Sequence, residues 1–445
     1  QSVVERHQIL RTAFVHESQE QALQVVLKQV DLPFEHFDWR HLSKKEQDLG
    51  IEQILVDERQ SGLAFNKAPL MHIRLIQIAD NRYQFIRSYH HILMDAWCFS
   101  LIMMDFLQFY RHFSEGRTLT LGPAPQYQDY VAWLLNKDEK ATQGFWQQKL
   151  AGFDQTTSLG INQTNRYLPI SNGETSPISK DVICEFSAQQ TERLQSVAQQ
   201  YQVTLNTLLQ GAWAQTLSRY SQQEDVVFGV TVAGRSIELP GIENIVGLFI
   251  NTLPLRCKVD SERELLSWLQ YLQQENLALR EHEQSSLALI QQWSEVQDQP
   301  LFHSIFVYEN TPMDKALDQD KLEFSVDEAQ NRSDLNYPLT VTVLTHDNLQ
   351  LELTYRCSDF EHDAVAAMLA HFKKLLLNII DAESPADIRL NDIEPSYSLA
   401  EPEQHNVLIG EKVAIESESN FLSTELFAQQ VQNQPNALAV RDGEQ

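Results

Sequence analysis

The chain has 445 residues, of which 42% are hydrophobic and 21% charged, a balance that suits a packed protein of two or three domains and excludes wholesale disorder. Its 61 acidic against 34 basic residues give a formal net charge of -27, which excludes an extended phosphate-neutralising surface, so neither nucleic acid nor an anionic membrane is expected as a partner. There is no apolar run of membrane-spanning length and no charged-then-apolar leader, so a cytoplasmic setting is expected, and Cys98, Cys184, Cys257 and Cys357, far apart and without C-x-x-C spacing, are expected as reduced, packed thiols.

In chain order, Val3 to Gln8 has a helical pattern, and Leu10 to His16 turns to strand alternation with "QALQVVLKQV" as its antiparallel partner. Ser43 and Glu46 have capping-box spacing and open a helix through about Gln60. "PLMHIRLIQIADNRYQFIRSYHH" predicts two strands around Asp80 and Asn81, which places His90 and His91 at a strand's C-terminal end. Asp95 is placed to cap the next helix, which carries Trp97, Leu101, Met104, Leu107 and Phe109 nearly all round and is therefore expected to be deeply buried, ending near Gly116. One further helix is expected over about Tyr127 to Leu150. The polar stretch from Thr156 to Pro177 is the candidate boundary between two lobes.

Beyond it, "FSAQQTERLQSVAQQYQ" and "TLNTLLQGAWAQTLSRYS" predict two helices, and "DVVFGVTVAGR" a β-branched strand. Helix and strand patterns then alternate to a long helix from Glu361 to about Asp381, which argues mixed α/β with a sheet in each lobe. From about Ser396 the chain reads as a linker, followed by a short helix and strand. Opening inside a helix and closing on an incomplete pattern, it reads as a piece of something longer.

The chemistry concentrates in "SYHHILMDAWCF", Ser88 to Phe99. An imidazole can hold or take a proton near neutral pH, which offers His90 and His91 as acid–base or positioning groups. The plain alternative is satisfied core histidines, although burying two imidazoles and a carboxylate idly costs about 1–3 kcal/mol for each unpaired group. A metal site is disfavoured, since the spacing lacks the i, i+4 helical geometry of zincins and no other ligand cluster stands out.

"HHILMDAW" resembles the H-H-x-x-x-D-G motif of condensation domains of non-ribosomal peptide synthetases. "RHQILRTAF" (Arg6 to Phe14), "YQDYVAW" (Tyr127 to Trp133) and "VGLFINTLPLR" (Val246 to Arg256) are similar to three more segments of that family, in family order. The resemblance covers about residues 1 to 400. It implies an α/β fold of two chloramphenicol-acetyltransferase-like lobes, a V-shaped pseudo-dimer with a tunnel between them. Its implied parts are an amino-terminal lobe over 1–160, truncated at its start, an inter-lobe linker over 161–178, a carboxy-terminal lobe over 179–395 and a second linker over 396–420. "TELFAQQVQNQPNALAVRDGEQ" resembles the opening of an adenylation domain, incomplete, over 421–445.

The activity implied is an acyltransferase reaction: attack of an acceptor aminoacyl α-amino group on a donor thioester. Both groups would ride on phosphopantetheine arms of upstream donor and downstream acceptor peptidyl carrier proteins, with an adenylation domain adjoining in the same chain. No cofactor would be bound directly. His91 maps onto the catalytic histidine, with His90, Asp95, Ala96 and Trp97 as the supporting motif, and Asp95 paired with an arginine of the first segment, Arg6 or Arg11. Asn251, Thr252, Arg256 and Asn336 are tunnel or floor candidates, with a turn-and-strand scaffold role as the alternative, and Tyr127, Asp129, Tyr130 and Trp133 are expected to pack the lobe. Ala96 departs from the family's usual Gly, Gln8 from its Glu, and "HEQSSLALIQ" from H-Q-D-x-P-F-E; the subtype looks like the one joining two L-configured residues. A non-catalytic recruiting or gating domain and a coenzyme A-dependent acyltransferase are the competing readings.

Overall fold

Where the sequence alternates, the backbone is extended. In the computed structural model, which describes residues 1–15, 22–161, 179–296, 299–309, 324–327, 336–345, 348–382 and 388–393, β1 (Thr12–Val15) pairs antiparallel with β2 (Leu23–Val26), Thr12 opposite Val26. A second sheet runs in the order β3 (Phe34–Asp38), β4 (Met71–Ala79), β5 (Arg82–Tyr89), with β4 and β5 antiparallel across the Asp80–Asn81 turn. Residues 162–178 and 394–445, which hold nearly all of the expected inter-lobe linker and the whole of the second linker and adenylation-like start, lie outside the described residues.

Helix α1 (Ser2–Arg6) opens the chain. Ser43 and Glu46 exchange the two hydrogen bonds of a capping box, so α2 (Lys44–Ser61) starts where the spacing predicts. Met71 and Ile73 of the sheet pack with Val4, Ile9, Leu10, Leu93, Met94 and Cys98 into the amino-terminal core, and Val246, from far along the chain, completes it.

Two expectations fail here. Helix α3 (Ala96–Ser114) buries Cys98, Ser100, Asp105 and Phe109 but leaves Met104 47% and Phe113 55% exposed; it packs on one side only, so its apolar circumference does not translate into deep burial. The single helix expected over Tyr127 to Leu150 is two, α4 (Tyr127–Leu134) and α5 (Glu139–Leu150). The break falls at Asp138, whose carboxylate accepts from the backbone N–H of Lys140 at 2.9 Å and Ala141 at 3.2 Å and so starts a new helix.

The carboxy-terminal part contributes β6 (Ser179–Glu185), β7 (Asp225–Val232), β8 (Asn251–Lys258), β9 (Ser304–Glu309), β10 (Leu339–Thr345) and β11 (Leu349–Arg356), hydrogen-bonded in the order β6-β11-β10-β9-β7-β8. Around this sheet stand α6 (Ala188–Gln200), α7 (Leu205–Ser221), α8 (Leu265–Arg280), α9 (Leu287–Trp293) and α10 (His362–Asp381). Every residue of α7 from Thr207 to Leu217 is buried, so this helix lies in the core of the lobe; its residues there are apolar or small except Gln210, which accepts from Asn276 at 2.8 Å, and Gln215, which donates to the Leu390 carbonyl at 2.6 Å. Gly211 lets α8 approach, since a Cβ there would lie 2.6 Å from the Leu269 side chain. All four cysteines are free.

Candidate active site

Strand β5 ends at Tyr89, and His90 closes it by donating its backbone N–H to the Leu70 carbonyl at 3.0 Å. The His90 ring then accepts at Nδ1 from the backbone N–H of Ile92 at 3.1 Å, which starts a single 3₁₀ turn over His91–Leu93. With Nδ1 used as an acceptor, the proton of the neutral ring is assigned to Nε2. Phe65 stands edge-on to it with ring centroids 4.7 Å apart, and burial, helped by the neighbouring His91, lowers the pKa of His90 below the ordinary imidazole value. His90 is a capping residue.

Leu93 and Met94 are buried and pin the turn to the core. His91, its first residue, is carried outward and exposed, and among the described residues no hydrogen bond holds its ring. The chain has spent one imidazole on the backbone and left the other available.

Asp95 is 4% exposed and fully engaged. Its Oδ1 accepts from the backbone N–H of Cys98 at 3.3 Å, capping α3, and lies 3.4 Å from the Arg235 guanidinium. Its Oδ2 accepts from the backbone N–H groups of Phe249 at 3.0 Å and Ile250 at 3.3 Å. Arg235 is itself tied down by donating to the carbonyls of Ile242 at 2.7 Å and Ile245 at 3.0 Å, with its guanidinium carbon 3.9 Å from the centre of the Phe249 ring. Trp97 donates from its indole N–H to the Glu243 carbonyl at 3.0 Å. Asp95 and Trp97 therefore clamp the 242–250 segment onto the start of α3, next to the turn that carries His91.

This corrects the expected pairing. Arg6 lies 2.7 Å from Asp105 and also donates to the Gly122 carbonyl, while Arg11 donates to the Leu27 carbonyl; neither pairs with Asp95, because α3 points Asp105 toward Arg6 and Asp95 toward the 242–250 segment. Sequence reasoning gave Arg235 no role. The signal available was a glycine–arginine pair closing an apolar strand.

Around the clamp the Cys98 thiol and the Tyr127 hydroxyl are engaged in turn. The Cys98 thiol donates to Asp95 at 3.1 Å, and burial with the Asp95 charge pushes it up to about 12, which removes it as a nucleophile. The Tyr127 hydroxyl donates to the Leu248 carbonyl at 2.6 Å, and a Cβ on Gly247 would run into the Tyr127 ring, so a glycine is needed for the close approach. Tyr130 stacks on Trp133 and packs on Phe249, so Tyr127, Tyr130 and Trp133 pack as expected, whereas Asp129 is exposed on the outer side of α4.

Ala96 is exposed at the first position of α3 and its φ is not positive, so the glycine that usually stands there is not required by the backbone. Asn251 donates to the Glu283 carbonyl at 2.9 Å and the Ser285 carbonyl at 2.7 Å, and Arg256 pairs with Asp225 at 2.7 Å and with the Ala151 carbonyl at 2.8 Å, so both side chains are committed to the scaffold. Thr252 donates its backbone N–H to the Asn251 side-chain oxygen at 2.9 Å. Asn336 is exposed, its carbonyl accepting from Arg356 at 2.7 Å. Among the described residues no group of three or more His, Cys, Asp or Glu is arranged to hold a metal ion, and no helix is long and apolar enough to cross a membrane.

A family model described as Condensation domain matches residues 1–390. The chain belongs to the condensation-domain family of non-ribosomal peptide synthetases. A linear gramicidin synthase of Brevibacillus parabrevis is 35% identical over 442 residues, covering 99% of this chain. This condensation domain spans 6% of that relative's length. A four-domain nonribosomal peptide synthetase crystallised with AMP and glycine shares its fold at a TM-score of 0.73 and 16% identity, over 89% of this chain and 30% of that one. The X-domain from teicoplanin biosynthesis matches at a TM-score of 0.71 and 19% identity, over 88% and 87%.

Proposed function

We propose that this condensation domain joins two L-configured residues, the acceptor's α-amino group attacking a donor thioester beside His91. Donor and acceptor would arrive on phosphopantetheine arms of an upstream and a downstream carrier protein in the cytoplasm, with no cofactor held by the domain, and the chain beyond residue 420 would begin the adjoining adenylation domain.

The observation that carries this reading is the contrast within one motif: His91 is exposed with its ring available, whereas His90 and Asp95 are consumed in fixing the turn that presents it. In the proposed step the amine nitrogen bonds to the thioester carbon, the C–S bond breaks, and the amine proton ends on the departing sulfur, directly or by way of the imidazole. An α-ammonium titrates near 8, so the amine needs little help to lose its proton, and positioning it and stabilising the developing charge are the larger tasks for His91.

The test is single-turnover condensation between two loaded carrier proteins, read as dipeptidyl product on the downstream one. His91→Ala, with an unchanged circular dichroism spectrum, is expected to lower product formation by about 10²–10⁴-fold. Undiminished product removes His91 from the mechanism, and carrier binding without turnover in the native protein would favour a recruiting domain.

A further inference from the structure

Side chains alternate along β5, so Arg87 and Tyr89 share one face of the sheet. The guanidinium carbon of Arg87 lies 4.9 Å from the centre of the Tyr89 ring and 4.6 Å from that of Phe99, which comes from the first turn of α3. Arg87 is half-buried, and no carboxylate or carbonyl of the described residues accepts a hydrogen bond from it. Other partly buried arginines behave differently: Arg6 and Arg256 have carboxylates, and Arg235 has both a carboxylate and two carbonyls. Burial lowers the pKa of Arg87 below the ordinary guanidinium value. Two aromatic faces hold the cation in place without satisfying its five N–H donors. A half-buried, ring-clamped fork whose N–H groups still face solvent is the geometry that takes a carboxylate in a bidentate pair.

We infer that Arg87 is a specificity-determining residue that receives a carboxylate side chain on one of the two aminoacyl groups joined at His91. The inference rests on the amide-forming reading and narrows its substrate class to an acidic residue at the donor or acceptor position. Only four residues separate Arg87 from His91, at most about 13 Å of extended chain. A side chain branching from the α-carbon beside the reacting group can span that gap together with an arginine. The phosphate of a carrier arm is set back from the thioester by the whole pantetheine unit, which makes it the weaker candidate.

The experiment loads the carriers with glutamyl or glutaminyl groups, in turn at donor and acceptor positions, and compares native protein with Arg87→Gln and Arg87→Met. Native protein is expected to favour glutamyl over glutaminyl at least tenfold in kcat/KM at one position, and the ratio is expected to fall to near one in both variants. A ratio near one in native protein, or one that both variants preserve, overturns the inference. A second arm measures binding of stable amide-linked glutamyl- and glutaminyl-pantetheine by calorimetry, so that failure of the amide-forming reading is separable: tighter glutamyl binding lost in both variants sustains the inference even if no product forms. Equal binding of the two analogues overturns it. So does a preference for phosphorylated over unphosphorylated pantetheine that both variants lose whatever the side chain, since that assigns Arg87 to the phosphate.

Discussion

Arg235, Asn251 and Arg256, all from the carboxy-terminal part of the chain, spend their polar atoms on carboxylates and carbonyls of the protein itself. His91 and Arg87, from the amino-terminal part, have no such engagement among the described residues. The sequence offered His91, Asn251 and Arg256 as site residues and gave neither Arg235 nor Arg87 a role. The difference shows that a polar side chain near a motif is read by what it still has to offer: a satisfied group holds the frame, and an unsatisfied one is open to a ligand. It also predicts opposite responses to mutation, with the frame residues governing stability and the available ones governing chemistry.

The sharpest way to break that contrast is Asp95→Ala. It leaves the Arg235 guanidinium without its carboxylate and two backbone N–H groups without an acceptor, and about 3–5 kcal/mol of stability should go, measured by urea unfolding. A loss under about 1 kcal/mol would show that the 242–250 segment is not held there. Arg256→Ala removes a paired but less buried cation, so a loss of about 1–3 kcal/mol is expected in the same measurement.

His303 sharpens the comparison through pH. Burial, then the Arg356 charge, lowers it to about 4, against 6.5 for the unshifted group. The folded protein therefore holds a neutral imidazole that the unfolded chain protonates, so its contribution is fully present above about pH 6.5 and is lost as pH falls toward 4. Unfolding free energy should drop by at most about 1.4 kcal/mol per pH unit through that window on its account, and His303→Gln should flatten the slope. The smallest effect on stability belongs to His91→Ala, within about 0.5 kcal/mol because the ring is exposed, alongside the large loss of turnover already described.

The locally determined features were legible. The β4–β5 hairpin follows from strand alternation around Asp80 and Asn81, the α2 start from the Ser43–Glu46 box, and the α3 start from Asp95, because in each case the interacting groups are separated by a few residues. The placement of His91 just past a strand came with them. The break at Asp138 was equally local, an N-cap that the continuous helical pattern on both sides concealed.

What only the tertiary structure decided is the other half of each contact. Arg235 finds Asp95 across 140 residues, and nothing in either segment names the other. The exposure of one face of α3 depends on what packs against it, which hydrophobicity around a helix does not encode. Sequence by itself determined the family, the elements and the residue types of the motif, because these are set by short-range pattern. Which arginine is bound to a carboxylate and which still lacks one was settled by folding, because charge compensation depends on distance in space.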